Sequence, residues 1–141
     1  MDDHLSILQA SYQQAIDSVG EDVLAQQFFD YFFDTYPETL LYFKGTDTAY
    51  FGAKKLKIIY QFLLDIIKHP DFAEGQITQE VIRHQMYGLQ DREYYCCLID
   101  ALQLCVRSAN TQGWPDSYET AWNDITIVFK GYIGAAVDDF V

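Results

Sequence analysis

One histidine in this 141-residue chain stands where metal chemistry is possible. His84 lies in the stretch VIRHQMYGLQDREYY, near the end of a predicted helix and ten residues before Tyr94. A neutral imidazole on a firm backbone can hold a metal cofactor, provided that apolar walls keep water away. A lone histidine in a helix is more often a surface or hydrogen-bonded core residue. Spacing alone does not choose between these two readings.

Composition limits the classes of protein to which the chain can belong. Half of the residues are hydrophobic and 16% are aromatic, which indicates either a dense core or a flat hydrophobic guest. The formal net charge of −12 makes nucleic acid and anionic membrane surfaces unfavourable partners. No apolar run has transmembrane length, and the N-terminal residues are acidic and polar. Three cysteines do not make a disulfide framework, so we expect a cytoplasmic protein.

Apolar residues spaced by three and four recur through nearly the whole chain, and this spacing predicts helices. Gly20 predicts the end of a first helix, and a second begins at about Glu21. Pro37 cannot lie inside a helix, but it suits the first turn of a short one over PETLLYF, residues 37–43. A corner with Gly45 then precedes a long helix that ends before the His-Pro pair.

The second half of the chain continues in the same way. The segment DFAEGQ, residues 71–76, is predicted to be a loop that leads to Thr78, the cap of a short helix over about 79–87. Gly88 ends that helix. Two further helices are expected, over about 91–109 and from about 117 onward. We therefore expect an all-α protein of seven or eight helices, with residues 1–141 in one domain.

Several stretches of the chain resemble the globin family. FFDYFFDTYPETLLYF at 28–43 is similar to that family's second helix and the short helix after it, and Phe43 matches the ring that packs on the haem. The stretch from His84 to Tyr94 resembles the segment whose histidine binds iron. The Ala-Trp pair at 121–122 also matches. The resemblance covers essentially the whole chain and is strongest to bacterial and cyanobacterial single-domain globins, which are similar to the haem domain of flavohaemoglobins.

This resemblance implies a globin fold and a bound haem b, iron protoporphyrin IX. His84 would be the axial ligand of the iron, and Phe43 would wedge against the macrocycle. Arg83 is either a partner of a haem propionate or an exposed charge. The implied ligands are the diatomic gases O2, NO and CO. The haem would alternatively take part in electron transfer, with a reductase or another redox protein as partner.

The side of the pocket where globins bind gas departs from the family pattern. Phe29 stands where related globins have a tyrosine, Gly52 matches their glutamine or histidine, and Leu56 matches the apolar residue over the iron. None of the three can donate a hydrogen bond to bound dioxygen, which predicts fast release or another purpose. Lys54 and Lys55 lie one turn away, where they can act on the iron as neutral amines or stay solvated beside the propionates.

The iron-binding side departs as well. Tyr94 matches a tyrosine that hydrogen-bonds near the proximal histidine. The glutamate that completes this network in flavohaemoglobin-like globins corresponds to Val137, with Asp138 beside it. This change argues against dioxygenase and peroxidase activity. We therefore expect that the protein is not an enzyme, apart from a side activity toward NO or nitrite. Tyr31 or Tyr60 would reach the gas-binding side if the register differs.

Two other functions remain open on the sequence. A haem-free globin-fold sensor or protein-interaction domain suits the acidic composition and the poor gas pocket. A bilin-carrying protein would need a cysteine near the pocket, whereas Cys96, Cys97 and Cys105 all lie on the next helix and suit small core fillers. The physiological ligand, five- or six-coordination of the iron, the oligomeric state and membership of a larger sensor are not decided by the sequence.

Overall fold

The chain is built from helices. The computed structural model describes residues 2–45, 47–86, 88 and 91–140, and all the regular secondary structure in these ranges is helical. The expected all-α class is confirmed. The six α-helices and one 3-10 helix of the described residues are α1 (Asp2–Val19), α2 (Glu21–Thr35), η1 (Pro37–Phe43), α3 (Thr48–Lys68), α4 (Pro70–Gln85), α5 (Arg92–Ala109) and α6 (Asp116–Phe140).

Two glycines end helices, as their place in the sequence predicts. Gly20 has φ of +84° and Gly88 has φ of +82°, a left-handed conformation that glycine adopts without the steric cost of a side chain. The Gly20 N–H donates to the Ile16 carbonyl at 2.9 Å, and the Gly88 N–H donates to the Gln85 carbonyl at 3.0 Å. Each bond caps a carbonyl that the helix would leave unpaired.

The predicted loop at 71–76 is wrong, because α4 already begins at Pro70. Proline is favourable in the first turn of a helix, where its missing N–H would have no partner. Ala73, Ile77 and Val81 repeat at four-residue spacing, and all three are buried. Burial of this stripe against the core outweighs the polar composition of the segment and the cost of Gly75 inside the helix.

The helices share one core. At the α5–α6 turn this core contains a set of buried hydrogen bonds among Ser11, Asn110 and Trp122, called the polar tie below. Trp122 on α6 is fully buried, and its indole Nε1–H donates to the Ser11 hydroxyl on α1 at 2.9 Å. The Asn110 side-chain N–H donates to the Ser11 carbonyl at 3.0 Å and to the Val106 carbonyl at 2.7 Å. These bonds join α1 to the turn that follows α5, so this end of the bundle is fixed in geometry.

The helix packing leaves room for an apolar pocket between the helices. α2 packs on α3 and α5, α3 packs on α4, and α4 packs on α6. Long helices splayed from their corners enclose space between their far ends. Within the described ranges, no helix combines the length and the apolar character needed to cross a membrane.

Candidate cofactor pocket

An apolar pocket, called the main pocket below, opens between η1 and helices α2 to α6. Its empty space is about 800 Å³, a figure that includes the part open to solvent. The apolar lining residues are Phe29, Phe32, Phe43, Phe51, Ile59, Phe62, Ile77, Leu98, Phe129 and Ile133.

The aromatic wall of the main pocket is built around Phe29. The ring centroid of Phe29 lies 5.5 Å from that of Phe43 and 5.9 Å from that of Phe51, and Phe43 and Phe51 are 5.2 Å apart. Edge-to-face packing at such distances is the favourable geometry for phenyl rings. Phe29 and Phe43, expected from the sequence to contact a guest, therefore do lie together on one wall.

His84 faces this wall from α4 and is held by its own helix. Its Nδ1 lies 2.7 Å from the Glu80 carbonyl oxygen one turn earlier, which assigns the proton to Nδ1 as donor. The other ring nitrogen, Nε2, has no protein partner among the described residues. The ring also meets Tyr95 edge-on, with centroids 5.8 Å apart. An imidazole fixed in this tautomer presents Nε2 as a free lone pair.

Burial keeps His84 neutral. Loss of solvent lowers the pKa of the imidazole below its usual range, and the nearby Lys55 ammonium lowers it further, against the opposing effect of Glu80. A neutral imidazole at pH 7 is the form that can bind a metal. Burial also raises the pKa of the neighbouring Tyr95 hydroxyl to about 12, so that group keeps its proton as well.

Glu80 is the acidic group of the main pocket, and it is already engaged. Its carboxylate accepts a hydrogen bond from Arg83 and lies 3.6 Å from His84 Nδ1. Its backbone carbonyl holds the His84 ring. Arg83 is thereby bound along the outer face of α4, with 59% of its side chain exposed, and it does not line the main pocket.

Lys55 is the cation of the main pocket. Phe51 and Ile59, one turn before and one turn after it, line the same pocket, so the lysine lies in the middle of the lining face of α3. Burial lowers the pKa of its ammonium. No carboxylate of the described residues forms an ion pair with it. Lys55 is half-buried, and an ammonium that loses water without gaining an ion-pair partner is costly, so Lys55 is placed to bind an electron-rich group.

The remaining sequence candidates on α3 do not reach the main pocket. Lys54 points to solvent, and Leu56 is fully buried in the core. Gly52 is buried against Phe29, where an added Cβ would lie 2.9 Å from the ring. This close approach sets the rotation of α3, so that Lys55 rather than Leu56 faces the pocket.

Tyr94 lines the main pocket but directs its hydroxyl away from His84. The hydroxyl donates to the Glu38 carboxylate at 3.1 Å, and Tyr95 is the ring that contacts the imidazole. Asp138 also stays outside, because it pairs with Arg92 at 2.6 Å and is 65% exposed. Among the described residues, the carboxylate beside His84 Nδ1 is that of Glu80 at 3.6 Å, and the hydrogen bond of the ring goes to the Glu80 backbone carbonyl instead.

The other groups considered from the sequence lie elsewhere. Tyr60 stacks on Tyr12 with centroids 3.7 Å apart, and Tyr31 is exposed. Cys97 and Cys105 are buried, as expected for core fillers, and Cys96 is half-buried. Among the residues that the structure describes, no three His, Cys, Asp or Glu side chains gather in a group that could hold a metal ion.

Glu80 and Tyr95 are the site residues that the sequence did not identify. Glu80 had a usable signal, because the residue four before a helical histidine always offers its carbonyl to that turn. Tyr95 had none, since the choice between adjacent tyrosines on α5 depends on how the helix is rotated against α4.

Comparisons with protein-family models, with curated proteins and with solved structures find no match to this chain.

Proposed function

We propose that the chain is a globin-type protein that binds haem b in the main pocket, with His84 as the axial iron ligand. The observation that carries this proposal is the state of His84: a neutral imidazole, fixed through Nδ1, with Nε2 free at the wall of an apolar pocket. The bound haem would serve O2, NO or CO, or one-electron transfer.

The residues present fit this group in polarity and ligand type. A macrocycle needs a wide apolar slot, and the lining of the main pocket consists chiefly of phenyl rings and aliphatic side chains. The porphyrin supplies the equatorial iron ligands, so one histidine suffices on the protein side and a cluster of ligands is not required. The propionates need cations; Lys55 lines the main pocket, and Arg83 is exposed on α4 beside His84, where it is already paired with Glu80.

When bound, haem iron supplies a site for diatomic ligands and a centre for one-electron exchange. The protein residues do the rest. Phe29, Phe43 and Phe51 exclude water from the slot, and the Glu80 carbonyl keeps the proton of His84 on Nδ1. Lys55 is the polar group that faces the slot from α3, so it replaces the tyrosine or glutamine donor of related globins.

The test is a titration of the purified protein with haemin, followed by absorption spectroscopy of the ferric and dithionite-reduced forms. A sharp Soret band that saturates at one equivalent is expected. The variant His84→Ala should lose haem or retain it far more weakly, because it removes the axial ligand. His69→Ala is the matched control, since His69 is exposed at the α3–α4 corner. An unchanged spectrum in His84→Ala contradicts the assignment.

A haem-free interaction domain is the second candidate, and exposed apolar side chains on η1 and early α3 favour it. Leu41 is 77% exposed and Tyr50 is 71% exposed, which is uncommon for large apolar side chains without a partner. Absence of any saturable Soret band, together with binding of another protein that Leu41→Ser weakens, would decide for this function.

A further inference from the structure

Two tyrosines form a pair that joins the main pocket to a second opening. Tyr94 lines the main pocket, and Tyr36 lines a second, more open pocket with about 540 Å³ of empty space that also holds Cys96 and Cys97. The two rings meet edge-to-face, with centroids 5.0 Å apart and planes at 77°. Phe32 covers both rings from the core side, at 6.2 Å and 6.3 Å. A continuous aromatic contact therefore runs from one pocket to the other.

Each hydroxyl of the pair has its own base. Tyr94 donates to Glu38 at 3.1 Å, and Tyr36 donates to Glu93 at 3.3 Å. Both glutamates are exposed, so a proton received there can pass on to water. Partial burial and then these carboxylates raise the pKa of both hydroxyls, which keeps the protons on the tyrosines at rest. An acceptor poised on each hydroxyl is what oxidation of a phenol requires, because the oxidised ring is a strong acid.

We propose that Tyr94 and Tyr36 are a redox-active pair that carries one oxidising equivalent from the main pocket to the opening at Cys96 and Cys97. The source is a one-electron oxidant in the main pocket. Haem that hydrogen peroxide has oxidised beyond the ferric state is the one that the proposed function supplies, and for this source the inference rests on that function.

The steps balance in electrons and protons. The oxidant gains one electron from Tyr94, whose hydroxyl proton passes to Glu38 and leaves a neutral tyrosyl radical. That radical takes one electron from Tyr36 and regains the proton from Glu38, while the Tyr36 proton passes to Glu93. Ascorbate in solution then gives one electron to the Tyr36 radical and its own proton to water. Glu93 returns its proton, and both tyrosines are restored.

The first arm of the test needs no haem. Photo-oxidised ruthenium tris-bipyridine, with persulfate as the electron acceptor, is used to oxidise the haem-free protein, and tyrosyl radicals are recorded by electron paramagnetic resonance after freezing. The double variant Tyr36→Phe/Tyr94→Phe should more than halve the tyrosyl signal. Tyr50→Phe is the control, since Tyr50 is 71% exposed, and it should leave the signal unchanged. Equal signals in the double variant and wild type overturn the proposal.

Two glutamine variants separate a redox role from a structural one. Glu38→Gln and Glu93→Gln keep a hydrogen-bond acceptor but take no proton. They should lower the radical yield near neutral pH, and strongly alkaline solution, where the phenols lose their protons to water, should restore it. Unchanged yields in both variants contradict the proposed proton path.

The second arm uses haemin-loaded protein and hydrogen peroxide and tests the order of the pair. Tyr36→Phe should retain a radical at Tyr94, whereas Tyr94→Phe should lose the radical at Tyr36. Radicals at Tyr36 without Tyr94 would contradict the order. Failure of haemin to bind is seen separately as a missing Soret band, and it counts against the proposed function while the first arm still decides on the pair.

Discussion

Lys55 and His84 lie at the same height on the two helices that meet at His69. Lys55 comes fourteen residues before this corner and His84 fifteen residues after it, so each lies about 20 Å along its helix from the corner at 1.5 Å per residue. Both side chains line the main pocket, and the Lys55 charge contributes to the lowered pKa of His84. A guest between α3 and α4 at this level therefore contacts both nitrogen-bearing side chains.

Replacement of Lys55 by leucine should stabilise the protein without its guest. The ammonium is half-buried in an apolar lining, where the described residues offer no ion-pair partner, and its removal should raise the free energy of unfolding by about 1 kcal/mol. The measurement is the urea midpoint at pH 7. Lys54→Leu is the control, because the exposed neighbour should change stability little. A lower midpoint in Lys55→Leu would mean that the ammonium is favourably paired.

On the proposed function, the same variant should change the absorption spectrum of the haemin-loaded protein. If Lys55 acts on the iron, wild-type protein is low-spin without added ligand, and Lys55→Leu becomes high-spin in the ferric and ferrous forms. If it binds a propionate or an anionic ligand instead, the spin state stays constant and azide affinity of the ferric protein falls. Low-spin haem in Lys55→Leu would show that Lys55 is not a ligand of the iron.

Because of His84, the free energy of unfolding should decrease as the pH is lowered. The pKa of the folded imidazole is lowered, whereas the unfolded value is about 6.5. Between the two values the unfolded chain binds more protons, so the full stabilisation is present above about pH 6.5 and declines by up to about 1.4 kcal/mol per pH unit below it. Urea unfolding of wild type and His84→Gln at several pH values measures this. Parallel curves for the two proteins would show that His84 does not contribute.

Because Gly52 lies against Phe29, alanine should destabilise the protein at Gly52 but not at Gly75. In Gly52→Ala the new Cβ would lie 2.9 Å from a buried ring, so we expect a loss of about 1–3 kcal/mol from overpacking. In Gly75→Ala nothing lies within 4 Å, and the helix should gain about 1 kcal/mol. Thermal unfolding of both variants is the measurement. Equal gains would show that Phe29 moves freely.

Loss of the Ser11 hydroxyl should destabilise the protein, because it removes the hydrogen-bond acceptor of Trp122. Both residues are fully buried, and Ser11→Ala leaves the indole N–H without its acceptor at 2.9 Å. We expect a loss of about 1–3 kcal/mol in the free energy of unfolding. The measurement is urea unfolding monitored by tryptophan fluorescence. Ser6→Ala, on the exposed face of α1, should stay within about 0.5 kcal/mol of wild type. A similar small change at Ser11 would mean that water replaces the hydroxyl.

Local chemistry made the helix ends predictable, and tertiary burial made α4 unpredictable. Gly20, Gly88 and Pro37 act through their own backbone preferences, which the sequence states directly. The segment at 71–76 has polar composition and a glycine, and both favour a loop locally. Only the burial of Ala73 and Ile77 against other helices makes it helical, and this burial depends on partners far along the chain.

The same limit applies to the pocket. The periodicity of α3 places Lys55 and Leu56 on neighbouring stripes of one helix, and a rotation of about 100° exchanges them. The contact of Gly52 with Phe29 fixes this rotation and cannot be read from either residue alone. His84, Phe43 and Tyr94 were predicted as site residues from the sequence, and all three line the main pocket. The carbonyl partner of His84 follows from helix geometry once the helix is known.

The polar tie of Ser11, Asn110 and Trp122 lies at the closed end of the α5–α6 hairpin, whereas the main pocket takes Tyr94, Tyr95 and Leu98 from the beginning of α5. Backbone amides near the tie should therefore exchange with deuterium only through global unfolding, while those at the open end exchange through local fluctuations. A guest in the pocket would slow exchange at the open end selectively. The end of the bundle that contains the polar tie thus folds cooperatively, while the walls of the main pocket can adapt to a bound guest.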